Sequence, residues 1–220
     1  VELDARSRYV FRAFPMTEGG VTQITAWLTT GGFSFYAFGN YLLERELLPR
    51  GLSETDFGAA YEHRWKNLVL TPELASYFFH TPTQFKAPPT VESALTAVYS
   101  AGAVDLFTKQ VVDVGSFRGA YYGEAGLSHE RRLGEPLALA ATVSGAWASA
   151  RYNRMLFGLD RPALDHVTLE ISLTWSPGES VYLRPHVEVS RLLDRELRRH
   201  MGTSTVAAFG LAVGFERISK

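Results

Sequence analysis

The sequence has no cysteine, which excludes disulfides and thiolate metal sites and is compatible with an oxidising bacterial compartment. It also lacks any apolar run approaching the ~18 residues of a membrane helix. A chain of this kind that crosses a bilayer must do so as a closed barrel, where every backbone group is paired between strands. Net charge is nearly absent, at −1 over 220 residues, which leaves no bulk electrostatic case for nucleic acid as a partner. There is no Gly-rich phosphate loop and no His or carboxylate spacing of a metal site, so neither a cofactor nor a metal ion is expected. Val1 opens the chain without an initiator methionine or a signal-like apolar core, as in a processed form or an artificial start. A hydrophobic content of 46% is ample for one domain, expected to span 1–220.

What is present is alternation. Between Asp165 and Arg191, the apolar Val167, Leu169, Ile171, Leu173 and Trp175 alternate with His166, Thr168, Glu170, Ser172 and Thr174. After a Pro-Gly turn, Val181, Leu183, Val187 and Val189 alternate with Arg184, His186, Glu188 and Ser190. Two period-two runs joined by a short turn are an antiparallel hairpin. Each arm keeps its pattern for about ten residues, matching a tilted strand across a bilayer better than the usual soluble strand of about 5 or 6. With Thr174 facing Tyr182, the register sets Ser172 against Arg184, Glu170 against His186, Thr168 against Glu188 and His166 against Ser190. Pro185 removes a ladder donor, so a bulge or local break in pairing is expected there.

The same pattern recurs along the chain, at 1–11, 21–29, 33–42, 55–65, 68–79, 90–99, 104–113, 119–131, 137–147, 165–175, 181–191 and 205–217. The stretch 33–42 is aromatic on both faces and cannot be oriented from its pattern. Links alternate in length: 31–32, 66–67, 101–102, 133–136 and 176–180 are short, whereas 43–53, 80–89, 149–163 and 193–204 are longer and more polar. Those at 14–20 and 114–118 are intermediate. The expected fold is therefore all-β: a transmembrane up-and-down antiparallel barrel of about 12 strands, with short periplasmic turns and longer extracellular loops in the bacterial outer membrane. Alternation alone suits a soluble β-sandwich or lipocalin-like barrel equally well. Against those stand the long arms, the near absence of charge on the apolar faces, and Trp65, Trp147, Trp175 and Phe215 near the ends of those faces, where an interfacial girdle belongs.

The opening stretch, SRYVFRAFPMTEGGVTQ from Ser7 to Gln23, resembles the first motif of the TorF-type putative porins. Ser7, Tyr9, Phe11, Arg12, Thr17 and Gln23 fit that motif, and Ala13 stands where glycine is usual. A second patch, GAYYGEAGLSHE from Gly119 to Glu130, looks like the family's mid-chain strand. The resemblance implies an outer-membrane barrel of porin type.

In lipid the polar face must point inward. The pore-lining residues expected are Arg6, Arg8, Arg12, Asp56, Glu62, Arg64, Glu124, Glu130, Glu170, Arg184, His186 and Glu188. Both signs are present, which argues for weak selectivity or for salt-bridged strands that partly fill the pore. Strands nine and twelve present mostly Ala, Gly, Ser and Thr inward, leaving space for a pore or for long side chains of their neighbours. The expected function is passive diffusion of small hydrophilic solutes through a narrow, mixed-charge channel, and the alternative is a non-conducting barrel acting as a scaffold in a larger envelope assembly. Catalysis is not expected. Ser128 and His129 are adjacent and point to opposite faces, and His186 and Ser190 are roughly 13 Å apart along one strand. Arg195, Arg198, Arg199 and His200 form a basic loop, read as solvated charge or as a contact for lipopolysaccharide or a partner. Leu192, Leu193 and Leu197 could fold a short amphipathic piece over the mouth. The remaining partners expected are membrane lipids, the barrel-insertion machinery during biogenesis, and other envelope proteins.

Overall fold

The structure, a computed structural model, describes residues 1–43, 51–80 and 87–216. Its twelve wall strands are β1 (Glu2–Arg6), β2 (Val21–Thr30), β3 (Phe33–Leu42) and β4 (Gly51–Tyr61, continued past Glu62 by His63–Trp65), then β5 (Leu68–Phe79), β6 (Thr90–Ala101), β7 (Val104–Asp113) and β8 (Tyr121–Gly134). They end with β9 (Leu137–Ala148), β10 (Ala163–Trp175), β11 (Val181–Leu192) and β12 (Thr205–Phe215). Each pairs antiparallel with the next, and β12 pairs with β1, so the sheet closes on itself without an edge. This is the expected all-β, closed, up-and-down barrel of twelve strands. Val1 and Phe215 exchange hydrogen bonds of 2.8 Å, which places the start of β1 and the end of β12 at the short-turn end of the barrel.

The wall is apolar outside and polar inside, the inverse of a water-soluble globule. Phe209 is 69% exposed on the outer face of β12, while its inward neighbour Ala208 is buried. Leu74, Leu95, Leu106, Leu127, Leu169 and Val187 are likewise exposed on the outer wall. The expected girdle residues point outward, with Trp65, Trp175 and Phe215 exposed near the short-turn end. Trp147, near the long-loop end, donates to the Tyr121 hydroxyl at 3.1 Å.

The strand expected at 1–11 is shorter: β1 stops at Arg6. Beyond it, Tyr9, Val10, Phe11, Phe14 and Met16 are apolar at both parities, so no single face can take them to lipid and they fold inward instead. Val10–Phe11 pairs with Phe14–Pro15 in a tight hairpin. Its turn residues Arg12 and Ala13 have φ of 49° and 63°, in the left-handed region that favours glycine. The sharp bend at Ala13 is thus present without the glycine.

The long links carry two helices absent from the strand pattern. α1 (Ala150–Phe157) is capped by the Ser149 hydroxyl, which accepts from the Tyr152 N–H, and ends at Gly158 in the left-handed conformation. α2 (Arg195–Met201) is capped by Asp194 and buries Leu197, but of the three leucines expected to form a short amphipathic piece over the mouth Leu192 ends β11 and Leu193 precedes the helix. Together with the residue 9–16 segment, these helices fill the long-loop end. Tyr152, Leu156 and Phe157 pack with Tyr122, Val111, Ala146 and Leu197, while Tyr9 and Met16 pack with Val21 and Leu42.

Candidate functional site

The inner wall has two differently organised arcs. Across the β11–β12–β1 seam, β12 turns Val206, Ala208, Gly210, Ala212 and Gly214 inward, and long side chains from both neighbours bridge over the small ones. Arg184 pairs with Glu2, His186 meets Asp4 at 3.0 Å, and Arg6 meets Glu188 at 2.8 Å. Tyr182 also donates to Glu2. A Cβ at Gly210 would lie 2.5 Å from His186 Nε2, and one at Gly214 would lie 2.0 Å from the Tyr182 ring, so glycine is what allows the bridges. The small residues of β12 therefore make room for neighbouring side chains rather than for a wide pore.

The adjoining arc is β8 to β10. Glu124, Ser128 and Glu130 point inward from β8, Ala138, Ala140, Thr142 and Ser144 from β9, and Thr168, Glu170 and Ser172 from β10. Here the small residues of β9 do leave space. A cavity of about 910 Å³ opens at the short-turn end, lined by Glu130, Arg132, Ala138, Ala140 and Thr174.

The long-loop end is narrowed by the inserted hairpin. Arg12 reaches into the barrel and donates to both carboxylate oxygens of Glu92 at 3.0 and 2.6 Å, and to the Tyr152 hydroxyl at 3.0 Å. Its guanidinium carbon lies 4.5 Å from the Tyr122 ring centre and 4.7 Å from that of Phe11, within cation–π range. Burial works against the Arg12 charge, but Tyr152 and Glu92 outweigh it and hold the group well above its ordinary value. Burial and then the nearby Arg12 act oppositely on Tyr152, with burial winning, so its hydroxyl stays neutral. Beside this latch, Glu54 and Asp56 project inward from β4 and are buried, and Asp56 Oδ1 has no hydrogen-bond partner.

Of the pore-lining residues expected from sequence, Arg6, Asp56, Glu124, Glu130, Glu170, Arg184, His186 and Glu188 lie on inward faces of strands. Two are displaced from the wall because β1 ends early. Arg8 lies at the long-loop mouth, 3.7 Å from Glu18, and Arg12 enters the lumen from the loop. Glu62 and Arg64 pair with each other at 3.0 Å at the short-turn rim, both well exposed. Sequence reading missed Glu92, Glu73 and Glu54. Glu92 takes Arg12, and Glu73 takes Lys109 at 3.2 Å and the Tyr36 hydroxyl at 2.8 Å. The alternation of Val91 and Leu95 with Glu92 could have flagged the first of these.

The hairpin register is corrected by two residues. His166 faces Leu192, Thr168 faces Ser190, Glu170 faces Glu188 and Ser172 faces His186. The expected Glu170–His186 pair is replaced by contact of His186 with Asp4 across β12. A slip of two keeps every face unchanged, so alternation could not detect it. Pairing of β10 with β11 is interrupted between Ser172↔His186 and Trp175↔Leu183, the local break expected at Pro185. On its other side Pro185 stays in regular register with Leu211. β3 is oriented by Asn40, which accepts from Gln23 at 3.0 Å and donates to Ser53 at 2.7 Å inside the barrel. The two Ser/His combinations weighed for catalysis are apart: His129 contacts the Ala103 carbonyl from the outer face, and Ser190 bonds Thr168.

No protein-family model matches the sequence and no curated protein matches it. Among solved structures the chain is similar to the KdgM porin, with a TM-score of 0.61 at 11% identity over 99% of this chain and 100% of that one. It is also similar to the NanC porin, with a TM-score of 0.62 at 8% identity over 98% of this chain and 99% of that one. At such identities the likeness is one of fold: the chain has the twelve-strand barrel architecture that these porins have, along their whole length.

Proposed function

We propose that the chain is a porin-like channel of the bacterial outer membrane, passing small hydrophilic solutes by diffusion through a narrow lumen of mixed charge. The observation that carries this reading is the inverted wall: a closed barrel with large apolar side chains outside and ion-paired carboxylates and arginines inside. Lipid is the environment that suits such an exterior. The short-turn end, with Val1 and Phe215, is then periplasmic, and the end carrying α1 and α2 is extracellular. Arg6, Glu124, Glu130, Glu170, Arg184, His186 and Glu188 line the pore, and Arg12 narrows its outer mouth. On α2, Arg195, Arg199 and His200 are exposed toward the lipopolysaccharide layer, while Arg198 turns back to donate to the Leu192 and Leu193 carbonyls. The motif at Ser7 to Gln23 supports kinship with the TorF-type porins, now with its arginine serving as the latch.

Recording across a planar bilayer tests the reading. Purified protein should give discrete conductance steps, and a silent bilayer at verified insertion sinks it. The second reading, a closed barrel acting as an envelope scaffold, draws support from the apolar filling of the long-loop end around Tyr152 and Phe157. Silence together with co-purification in fixed stoichiometry with another envelope protein would favour it.

A further inference from the structure

The charges that look mixed in the sequence are not mixed in space. Among the described inward-facing cations, Arg6, Arg12, Arg64, Lys109 and Arg184 each have a carboxylate partner, respectively Glu188, Glu92, Glu62, Glu73 and Glu2. Arg132 alone is unpaired, at the short-turn rim beside Glu130. The carboxylates are not used up by this pairing. Asp105, Glu124, Glu130 and Glu170 have no cation within ion-pair distance among the described residues.

We propose that the lumen favours cationic solutes over anionic ones, through carboxylates of the β8 and β10 wall that no protein cation neutralises. The inference rests on the channel reading and names the solute class for it. Two observations carry it. The ladder sets Glu188, Glu170, Thr142, Ser128 and Asp105 opposite one another in succession, an arc of five strands or roughly 19 Å at the usual spacing. Three of those five are carboxylates, and only Glu188 meets an arginine.

Second, Glu170 directly faces Glu188, a like-charge pairing that destabilises a sheet unless water or mobile cations screen it. Glu170 is exposed although it points inward, so it faces open lumen where such screening is available. Rings of Asp and Glu are how cation channels select, and the β11–β12–β1 seam cannot cancel this wall because its charges are already matched within it.

The reversal potential under asymmetric potassium chloride, measured on the full chain in a planar bilayer, decides the matter. The sign should report K⁺ permeating severalfold more readily than Cl⁻. Joint replacement Glu124→Gln, Glu130→Gln and Glu170→Gln should bring the ratio close to unity, and Glu170→Gln alone should move it part of the way. Removing an exposed matched pair of the long links, Arg154→Gln with Asp160→Asn, should leave the ratio where it was. A current with no preference, or with preference for Cl⁻, overturns the inference while leaving the channel standing. A ratio unmoved in both the triple and the single variant, with insertion verified, overturns the assignment to this wall. A silent bilayer overturns the channel reading and this inference with it.

Discussion

The two ends of the barrel solve opposite problems with the same wall. At the long-loop end, the 9–16 segment, α1 and α2 turn inward and give the barrel an apolar core, with Tyr152, Leu197 and Val21 almost wholly buried. At the short-turn end the turns are too short to fold in, and the wall encloses the cavity by Glu130, Ala138 and Ala140. The comparison teaches that link length, more than strand sequence, decides which third of this barrel is packed and which is wet. A strand supplies only one side chain in two to the interior. Twelve strands leave a space that they do not themselves fill, and only a long link can deliver further side chains to it.

The largest break in that contrast is expected from Arg12→Ala. It removes the partner of Glu92 and leaves a buried carboxylate unmatched, a loss of about 3–5 kcal/mol for a buried pair. The thermal transition of the detergent-solubilised barrel should fall and single-channel conductance should rise as the hairpin leaves the mouth. Adding Glu92→Gln should recover part of the stability and none of the closure. Unchanged conductance in Arg12→Ala would show that the hairpin does not narrow the path.

Next in size is Gly210→Val on the seam. Its Cβ alone would meet His186 Nε2 at 2.5 Å and Asp4 Oδ1 at 2.9 Å, so the bridge over β12 must open, at a cost of about 1–3 kcal/mol. Thermal unfolding of the variant would report it, and an unchanged transition would mean that the bridge is dispensable. Smaller again is Ser149→Ala, which deletes the α1 cap at about 1 kcal/mol. Hydrogen exchange should quicken in α1 and not in β9, locating the effect at the packed end. Smallest in stability is Ala140→Leu at the wet end, expected within about 0.5 kcal/mol because the new side chain enters open space. Conductance should nonetheless drop, and a loss of stability larger than that of Ser149→Ala would show this end to be packed after all.

Much of the barrel was legible because lipid outside and water inside impose a strict period of two on every strand. Val167 to Trp175 and Val181 to Val189 declare their faces, and the alternation of short with long links declares the meander. What was illegible follows equally from physics. Where both parities are apolar, as from Tyr9 to Met16, the pattern has no face to report, and only closure of the barrel shows the segment turning inside. Aromatics on both faces of β3 hid its orientation until Asn40 found Gln23 and Ser53. α1 left a local signature in Ser149 and Gly158, with Tyr152 and Leu156 one turn apart, but a strand-by-strand survey reads past so short a helix.

By itself the sequence determined the number of wall strands, their up-and-down order and, where alternation is clean, which face turns to the lumen, since all three depend on neighbours a few residues apart. Only the tertiary structure decided which lumen charges meet. Sliding Ser172 from Arg184 to His186 changes no face, and the partners of Arg184, His186 and Arg12 are Glu2, Asp4 and Glu92, more than 70 residues distant in each case. Charge matching at that separation is fixed by closure of β12 on β1 and by the inward fold of the first long link, and no local period records either.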